Sequence, residues 1–265
     1  MLQFLIMFKR FLQKFFPFLF STTTYLAFGV EESPNKYPLD KARYLRIASY
    51  IHQEYLSKKR PLKVLDIGCS EGMMLLYCKK NNSEVDFYGI DILEERKNKA
   101  MARGYKAVAL EDIRQCDFRK YGEDFFDIVI CSHILEHLEH PGDILEKIKD
   151  IVRDKALLIV GVPIGLLPGM LWAEHIIPIF NARKRKEEVL KRFGHVNFFT
   201  LPKLRELLKH HGFVMEEARG DYLIRSRKFF LENCRWWFEL NQWYGKLFPG
   251  VLGHVMAKAC LNKKS

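Results

Sequence analysis

The sequence predicts an α/β fold: a parallel sheet with helices on both faces. Two observations carry this. Short apolar runs recur at Leu62–Ile67, Val85–Ile90, Ala107–Leu110, Ile128–Cys131 and Ala156–Val162. They have strand length and lack the apolar–polar alternation of a strand with one wet face. Helical spacing lies between the first two runs and again at residues 141–152, and strands that alternate with helices build parallel sheets.

Before the first strand, Tyr44, Leu45, Ala48, Ile51, Tyr55 and Leu56 fall at helical spacing within residues 40–58, and Pro61 breaks the pattern. After the regular half comes an apolar, proline-punctuated stretch, Ile164 to Phe180, and then a charged run, Arg183 to Arg192. This excursion is too long for an ordinary connection. A helix carrying Leu204, Leu207 and Leu208 follows, with Thr200 as its N-cap and Gly212 closing it. Phe213–Ala218 reads as a strand, residues 222–250 form a second, aromatic excursion, and His254–Cys260 reads as a last strand.

The chain has 265 residues, 48% of them hydrophobic, and a net charge of +11. That composition excludes a disordered or fibrous protein and fits one large domain with appendages. The charge is concentrated: residues 1–30 carry +3, residues 183–192 carry +4 and residues 225–265 carry +6, while the remainder is near neutral. Basic segments beside aromatic sequence point to an anionic partner. The six cysteines show no C-x-x-C spacing, so a reducing, cytoplasmic compartment is the simpler expectation.

Residues 1–30 form an apolar and basic amphipathic segment, set apart from a single domain over 31–265. Lys9, Arg10 and Lys14 interrupt it, and Pro17 breaks the later uncharged part. A span needs about 20 apolar residues, so crossing a membrane is disfavoured. Drawn as a helix, residues 2–16 place Gln3, Lys9, Arg10, Gln13 and Lys14 on one arc and Phe4, Leu5, Phe8, Phe11, Leu12, Phe15 and Phe16 on the other. That pattern suits a helix lying in a membrane interface. A helix packed on the protein's own core or on a dimer partner, and a signal anchor, are the alternatives.

The most informative segment is Val64-Leu65-Asp66-Ile67-Gly68-Cys69-Ser70-Glu71-Gly72, a strand entering a glycine-flanked turn that opens a helix at Met73. Glycines there remove Cβ atoms and tolerate positive φ, so a ligand can approach bare backbone. The spacing is not the G-x-G-x-x-G of pyrophosphate binding, which disfavours a nicotinamide oxidoreductase. The next strand ends at Asp91, 25 residues past Asp66, where a carboxylate can accept both hydroxyls of a ribose. The third strand ends in Glu111-Asp112-Ile113, able to put a carboxylate near an adenine amino group. The fourth runs Phe125-Phe126-Asp127-Ile128-Val129-Ile130-Cys131-Ser132-His133. Four strand ends thus deliver ligand-facing groups to one sheet edge.

These segments resemble the class I S-adenosylmethionine-dependent methyltransferases, in the branch similar to ubiquinone and menaquinone biosynthesis enzymes. VLDIGCSEG is similar to the family's glycine-rich first motif, the Asp91 strand to its second, FFDIVICSHILEHLEHP to its strand-four signature, and GHVNFFTLPKLRELLKHHGF to its late helix and strand. The resemblance covers roughly residues 40–220. It implies a Rossmann-like seven-stranded sheet of order 3-2-1-4-5-7-6 with strand seven antiparallel, and S-adenosyl-L-methionine as cofactor. It also implies that Asp66, Gly68, Cys69 and Gly72 form the pocket for the methionine part, that Asp91 with Ile92 holds the ribose, and that Glu111, Asp112 and Ile113 border the adenine. Ser132 and His133 would flank the sulfonium. The excursions at 164–192 and 222–250 exceed the family's minimal form and lie where substrate caps sit.

His133-Ile134-Leu135-Glu136-His137 also matches the zinc-peptidase pattern H-x-x-E-H, which would set both histidines on one helical face. It offers no third ligand in sequence, and no metal is expected. A sulfonium methyl is already activated, so a base is needed only for a hydroxyl that is not ionised. His137 and His195 are the catalytic candidates by position and titration range.

Nucleic acid is disfavoured as a partner. The N/D-P-P-Y/F motif is absent after the fourth strand, and no RNA-binding module is recognisable. Basic segments interleaved with Trp and Phe suit a membrane surface and a small or lipid-linked acceptor methylated on oxygen. An RNA or protein methyltransferase and a catalytically silent scaffold are the alternatives.

Overall fold

A computed structural model describes residues 38–164, 194–220, 235–251 and 253–262. The amphipathic segment 1–30 and nearly all of the 164–192 excursion lie outside them.

Helix α1 (Pro38–Lys58) leads into β1 (Leu62–Ile67), α2 (Met73–Lys80), β2 (Val85–Asp91), α3 (Glu94–Arg103) and β3 (Ala107–Leu110). Then come β4 (Phe126–Ser132), α4 (Pro141–Ile151), β5 (Val152–Pro163), α5 (Leu201–His210), β6 (Phe213–Gly220), α6 (Arg235–Leu247) and β7 (His254–Leu261). The seven strands form one sheet in the order β3-β2-β1-β4-β5-β7-β6. Strands β1 to β5 pair in parallel, and β7 runs antiparallel to both β5 and β6. This is the Rossmann-like order implied above.

Alternation along each central strand divides the core in two. Leu65, Ile67, Val129, Cys131, Leu158 and Val160 face α4 and α5, meeting Ile144, Ile148, Leu204 and Leu208. Val64, Ile128, Ile130, Leu157 and Ile159 face α1 to α3, meeting Ile47, Ile51, Met74 and Ala100. Both strand faces are apolar because both are covered, which is why the sequence runs are continuous.

Strand β5 begins earlier than the apolar run beginning at Ala156. Val152 pairs with Phe126, and the register then shifts so that Leu157 meets Ile128. The irregularity absorbs the polar Arg153-Asp154-Lys155, which hid the strand's start. At that same end, the buried Asp127 accepts from Arg60 at 2.5 and 3.0 Å, Arg153 at 2.7 Å and the Lys63 amide at 3.0 Å. One carboxylate thus joins the starts of β1, β4 and β5.

Part of the 222–250 excursion is a helix. On α6, Trp237, Asn241 and Gly245 face inward, and a Cβ on Gly245 would clash with the backbone of Gly220, so bare backbone brings α6 onto β6. Arg46 of α1 bonds both the Gly220 carbonyl and Gln242.

Candidate active site

The carboxyl-terminal edge of the parallel strands opens onto a cavity of about 530 Å³. Its wall includes eight residues singled out by sequence: Gly68, Asp91, Ile92, Glu111, Asp112, Ile113, Ser132 and His133. His137 joins them, as do Arg43, Arg96 and Arg114, which the sequence did not mark. Asp66, Cys69, Gly72 and His195 stand behind the wall or beside it.

The glycine turn takes its shape from three left-handed residues, Gly68 (φ 71°), Ser70 (φ 49°) and Gly72 (φ 74°). Its amides are anchored on β2: Gly68 and Cys69 donate to the Ile90 carbonyl at 2.8 and 3.2 Å, and Ser70 donates to the Asp91 carboxylate at 2.9 Å. The other Asp91 oxygen accepts from the Leu93 amide at 3.0 Å, so this side chain is oriented before any ligand arrives. A Cβ on Gly68 would lie 2.5 Å from Ile134 at the cavity wall. A Cβ on Gly72 would instead meet the Ala100 backbone at 2.9 Å, so Gly72 serves the contact between α2 and α3. Asp66 is buried beneath the turn and accepts 2.8 Å from the Tyr105 hydroxyl. Burial raises its carboxyl to about 7 against that hydrogen bond, and the charge of Asp91 adds to the rise.

At the adenine-side end, both acids are paired with cations: Glu111 with Lys120 and Asp112 with Arg114, each at 2.5 Å. The Arg114 pair holds the Asp112 carboxyl down at about 2. Ile92 is 65% exposed beside them, on a wall that also carries Ile67, Ile90, Ile113, Ile134 and Leu138.

After β4, the chain does not form the helix that H-x-x-E-H would need. His133 is left-handed (φ 60°), and only Leu135–His137 make a short 3-10 turn, so the two histidines do not share a helical face. His133 Nδ1 lies 3.0 Å from the buried Glu136 carboxylate, and its ring stacks on His254 with centroids 4.5 Å apart. Burial lowers the His133 imidazole to about 4 despite the Glu136 bond, so it is neutral at pH 7. His137 Nδ1 faces the Gly194 carbonyl at 2.8 Å. A carbonyl and a carboxylate only accept, so both Nδ1 atoms carry hydrogens, and the neutral His133 keeps a lone pair on Nε2. His195 packs edge-on against His137 at 4.8 Å, and burial lowers its pKa. Beside the motif, Glu136, His137 and His195 offer ligand atoms all within 4.8 Å of one another, a group that leaves out His133. The chain return at residues 194–197, outside the local motif, supplies the third.

Among the described residues, two buried polar atoms on the cavity wall lack partners, Ser132 Oγ and Arg43 Nε. Buried polar atoms are ordinarily satisfied, so each marks where a ligand can bond. A guanidinium suits the α-carboxylate of a methionine moiety, a hydroxyl suits its amino group, and the pre-set Asp91 carboxylate suits a ribose diol. The donor set fits S-adenosylmethionine.

A methyltransferase-domain family model matches residues 39–218. The chain is 24% identical over 193 residues to the carboxy-S-adenosyl-L-methionine synthase of Campylobacter hominis, covering 66% of this chain and 80% of that protein. It is 22% identical over 208 residues to a ubiquinone biosynthesis O-methyltransferase of Leptothrix cholodnii, covering 73% and 81%. Among solved structures, the 1,6-didemethyltoxoflavin-N1-methyltransferase of Burkholderia thailandensis, with S-adenosylhomocysteine bound, superposes with a TM-score of 0.51 over 83% of this chain and 79% of that one, at 19% identity. That likeness is one of fold. Sheet order, glycine turn and family match together define a Rossmann-like transferase that uses a nucleoside cofactor. The chain belongs to the methyltransferase-domain family and is an S-adenosylmethionine-dependent methyltransferase.

Proposed function

We propose that the enzyme methylates an oxygen of a small or lipid-linked acceptor at a membrane surface. The observation that carries the oxygen reading is the pair of imidazoles on the cavity wall, His133 and His137, each with Nδ1 bonded to an acceptor so that Nε2 is left for a substrate hydroxyl. Relatives named as ubiquinone biosynthesis O-methyltransferases support it.

When bound, S-adenosylmethionine supplies a methyl already activated on a positive sulfur, so in-line alignment does much of the work. Arg43 and Ser132 bind the methionine part, and Asp91 holds the ribose. Ile92 and Ile113 grip the adenine from its apolar faces, with Glu111 and Asp112 bordering it through their ion pairs. Asp66, Cys69 and Gly72 shape the turn from behind. His137 Nε2 would take the acceptor's hydroxyl proton, and His195 would steady that ring edge-on.

The test is tritium transfer from methyl-labelled S-adenosylmethionine into fractionated cell extract, with the parent enzyme and His137→Gln. Label in the organic extract, base-stable as an ether and reduced about 100-fold or more by the substitution, supports the reading. Label confined to RNA or protein overturns it.

A further inference from the structure

We infer that the outer face of α6 is the surface by which this enzyme docks on an anionic phospholipid bilayer. The inference rests on the membrane part of the proposed function and assigns it a place in the fold. Trp236, Leu240, Trp243 and Leu247 recur every three or four residues along α6, and all are exposed, Trp243 by 58% and Leu247 by 49%. Phe248 (49%) continues the stripe beyond the helix end. Side chains on the opposite face, Trp237 and Asn241, are buried, so the helix is anchored by one side and offers the other.

Three features choose the occupant. The first is chemistry: indoles prefer the bilayer interface, where an apolar ring meets a wet edge. The second is charge. Lys246 is exposed on the helix, as is Glu239, and the sequence of residues 225–265, several of whose cations lie outside the described residues, carries a net +6 that suits anionic headgroups. The third is area. An aromatic side chain buries at most about 150–250 Å². A stripe of part-exposed side chains on a single helix therefore falls short of the ~800 Å² per partner of a stable protein interface. A bilayer sets no such threshold, because each inserted side chain adds to binding.

The location gives the surface its use. Arg46 of α1 holds α6 through Gln242, and one turn away Arg43 stands on the cavity wall. Beyond α6 the chain enters β7 at His254, whose ring stacks on His133 at the cavity. Docking through α6 therefore brings the lipid surface alongside the site. Among the described residues no helix is long and apolar enough to cross a membrane, so the contact is interfacial.

The experiment is vesicle co-sedimentation of the full chain and of a Trp236→Gln/Leu240→Gln/Trp243→Gln variant. Vesicles of phosphatidylcholine alone are compared with vesicles also containing phosphatidylglycerol. S-adenosylhomocysteine affinity checks that the variant is folded, and light scattering gives its oligomeric state. The parent is expected to bind phosphatidylglycerol vesicles preferentially, with binding that weakens in salt, and the variant to bind at least about tenfold more weakly. A folded variant that binds as tightly as the parent overturns the assignment to α6 and leaves the membrane reading standing on other segments. A parent that binds neither vesicle overturns both. A dimeric parent made monomeric by the substitutions identifies a second copy as occupant and overturns the bilayer.

Discussion

Tyr105 donates its phenolic hydrogen to the Asp66 carboxyl across 2.8 Å, entirely within the protein, immediately beneath the turn that carries Gly68 and Gly72. Tyr105 follows α3 and Asp66 sits near the end of β1, so this bond fixes the floor of the site from two elements far apart in sequence. Its energetics are coupled to pH, because burial holds the Asp66 proton up to about 7.

Between about pH 4 and 7, folded Asp66 keeps a proton that the unfolded chain releases, so this residue makes stability fall as pH rises through that window. His133 acts oppositely. Its folded imidazole, lowered to about 4, has lost a proton that the unfolded chain retains up to about pH 6.5, so it makes stability rise with pH. The two slopes oppose each other in the parent. Urea unfolding at several pH values is expected to show stability rising more steeply with pH in Asp66→Asn and falling in His133→Asn, by up to a few kcal/mol across the window. Parallel curves for all three proteins would contradict the assignment.

Asp127 separates stability from binding. Burial works against its charge, but Arg60, the Lys63 amide and Arg153 outweigh that and hold its pKa below the ordinary value. The stabilisation is present above about pH 4 and is lost as pH falls through the folded pKa. Asp127→Asn is expected to cost about 2–3 kcal/mol in denaturant unfolding. Affinity for S-adenosylhomocysteine should be unchanged, since Asp127 lies at the opposite end of β4 from Ser132. A parallel loss of affinity would show that the two ends are coupled.

The two glycines of the turn should fail differently. Gly68→Ala pushes a methyl onto the Ile134 side chain at the cavity, and Gly72→Ala onto the Ala100 backbone between two helices. Both pay the left-handed penalty of about 1–2 kcal/mol. Gly72→Ala should cost more stability, because backbone cannot turn aside. Gly68→Ala should weaken S-adenosylhomocysteine binding more than its melting shift explains. Calorimetry of both variants for melting and ligand binding decides the order.

The strand ends were legible because continuous apolar runs stop at residues with polar work to do: Ile67 before Gly68, Ile90 before Asp91, Leu110 before Glu111. The start of β5 was not, since Arg153-Asp154-Lys155 carries no apolar signal and only the register shift on β4 reveals its pairing. Arg43 was missed for a different reason. It is one cation among several on α1, and nothing local separates it from Arg46, which turns away to Gln242. His254, opening β7, is brought to the site by sheet topology over a separation that no local pattern records, while chain return sets His195, already a candidate by sequence, beside His137. The five-residue H-x-x-E-H match, set aside at the sequence level because it follows a strand, has no helix beneath it: a left-handed His133 breaks the chain there.

The central claim is that the edge built by Gly68, Asp91 and Ser132 binds S-adenosylmethionine. Isothermal titration with S-adenosylhomocysteine, on the parent and on Asp91→Ala, tests it most directly. The account predicts a single site of about micromolar affinity in the parent and at least about tenfold weaker binding in the variant, through loss of a charge-assisted ribose contact. No heat of binding from folded parent protein, or equal affinity in the two proteins, would contradict it.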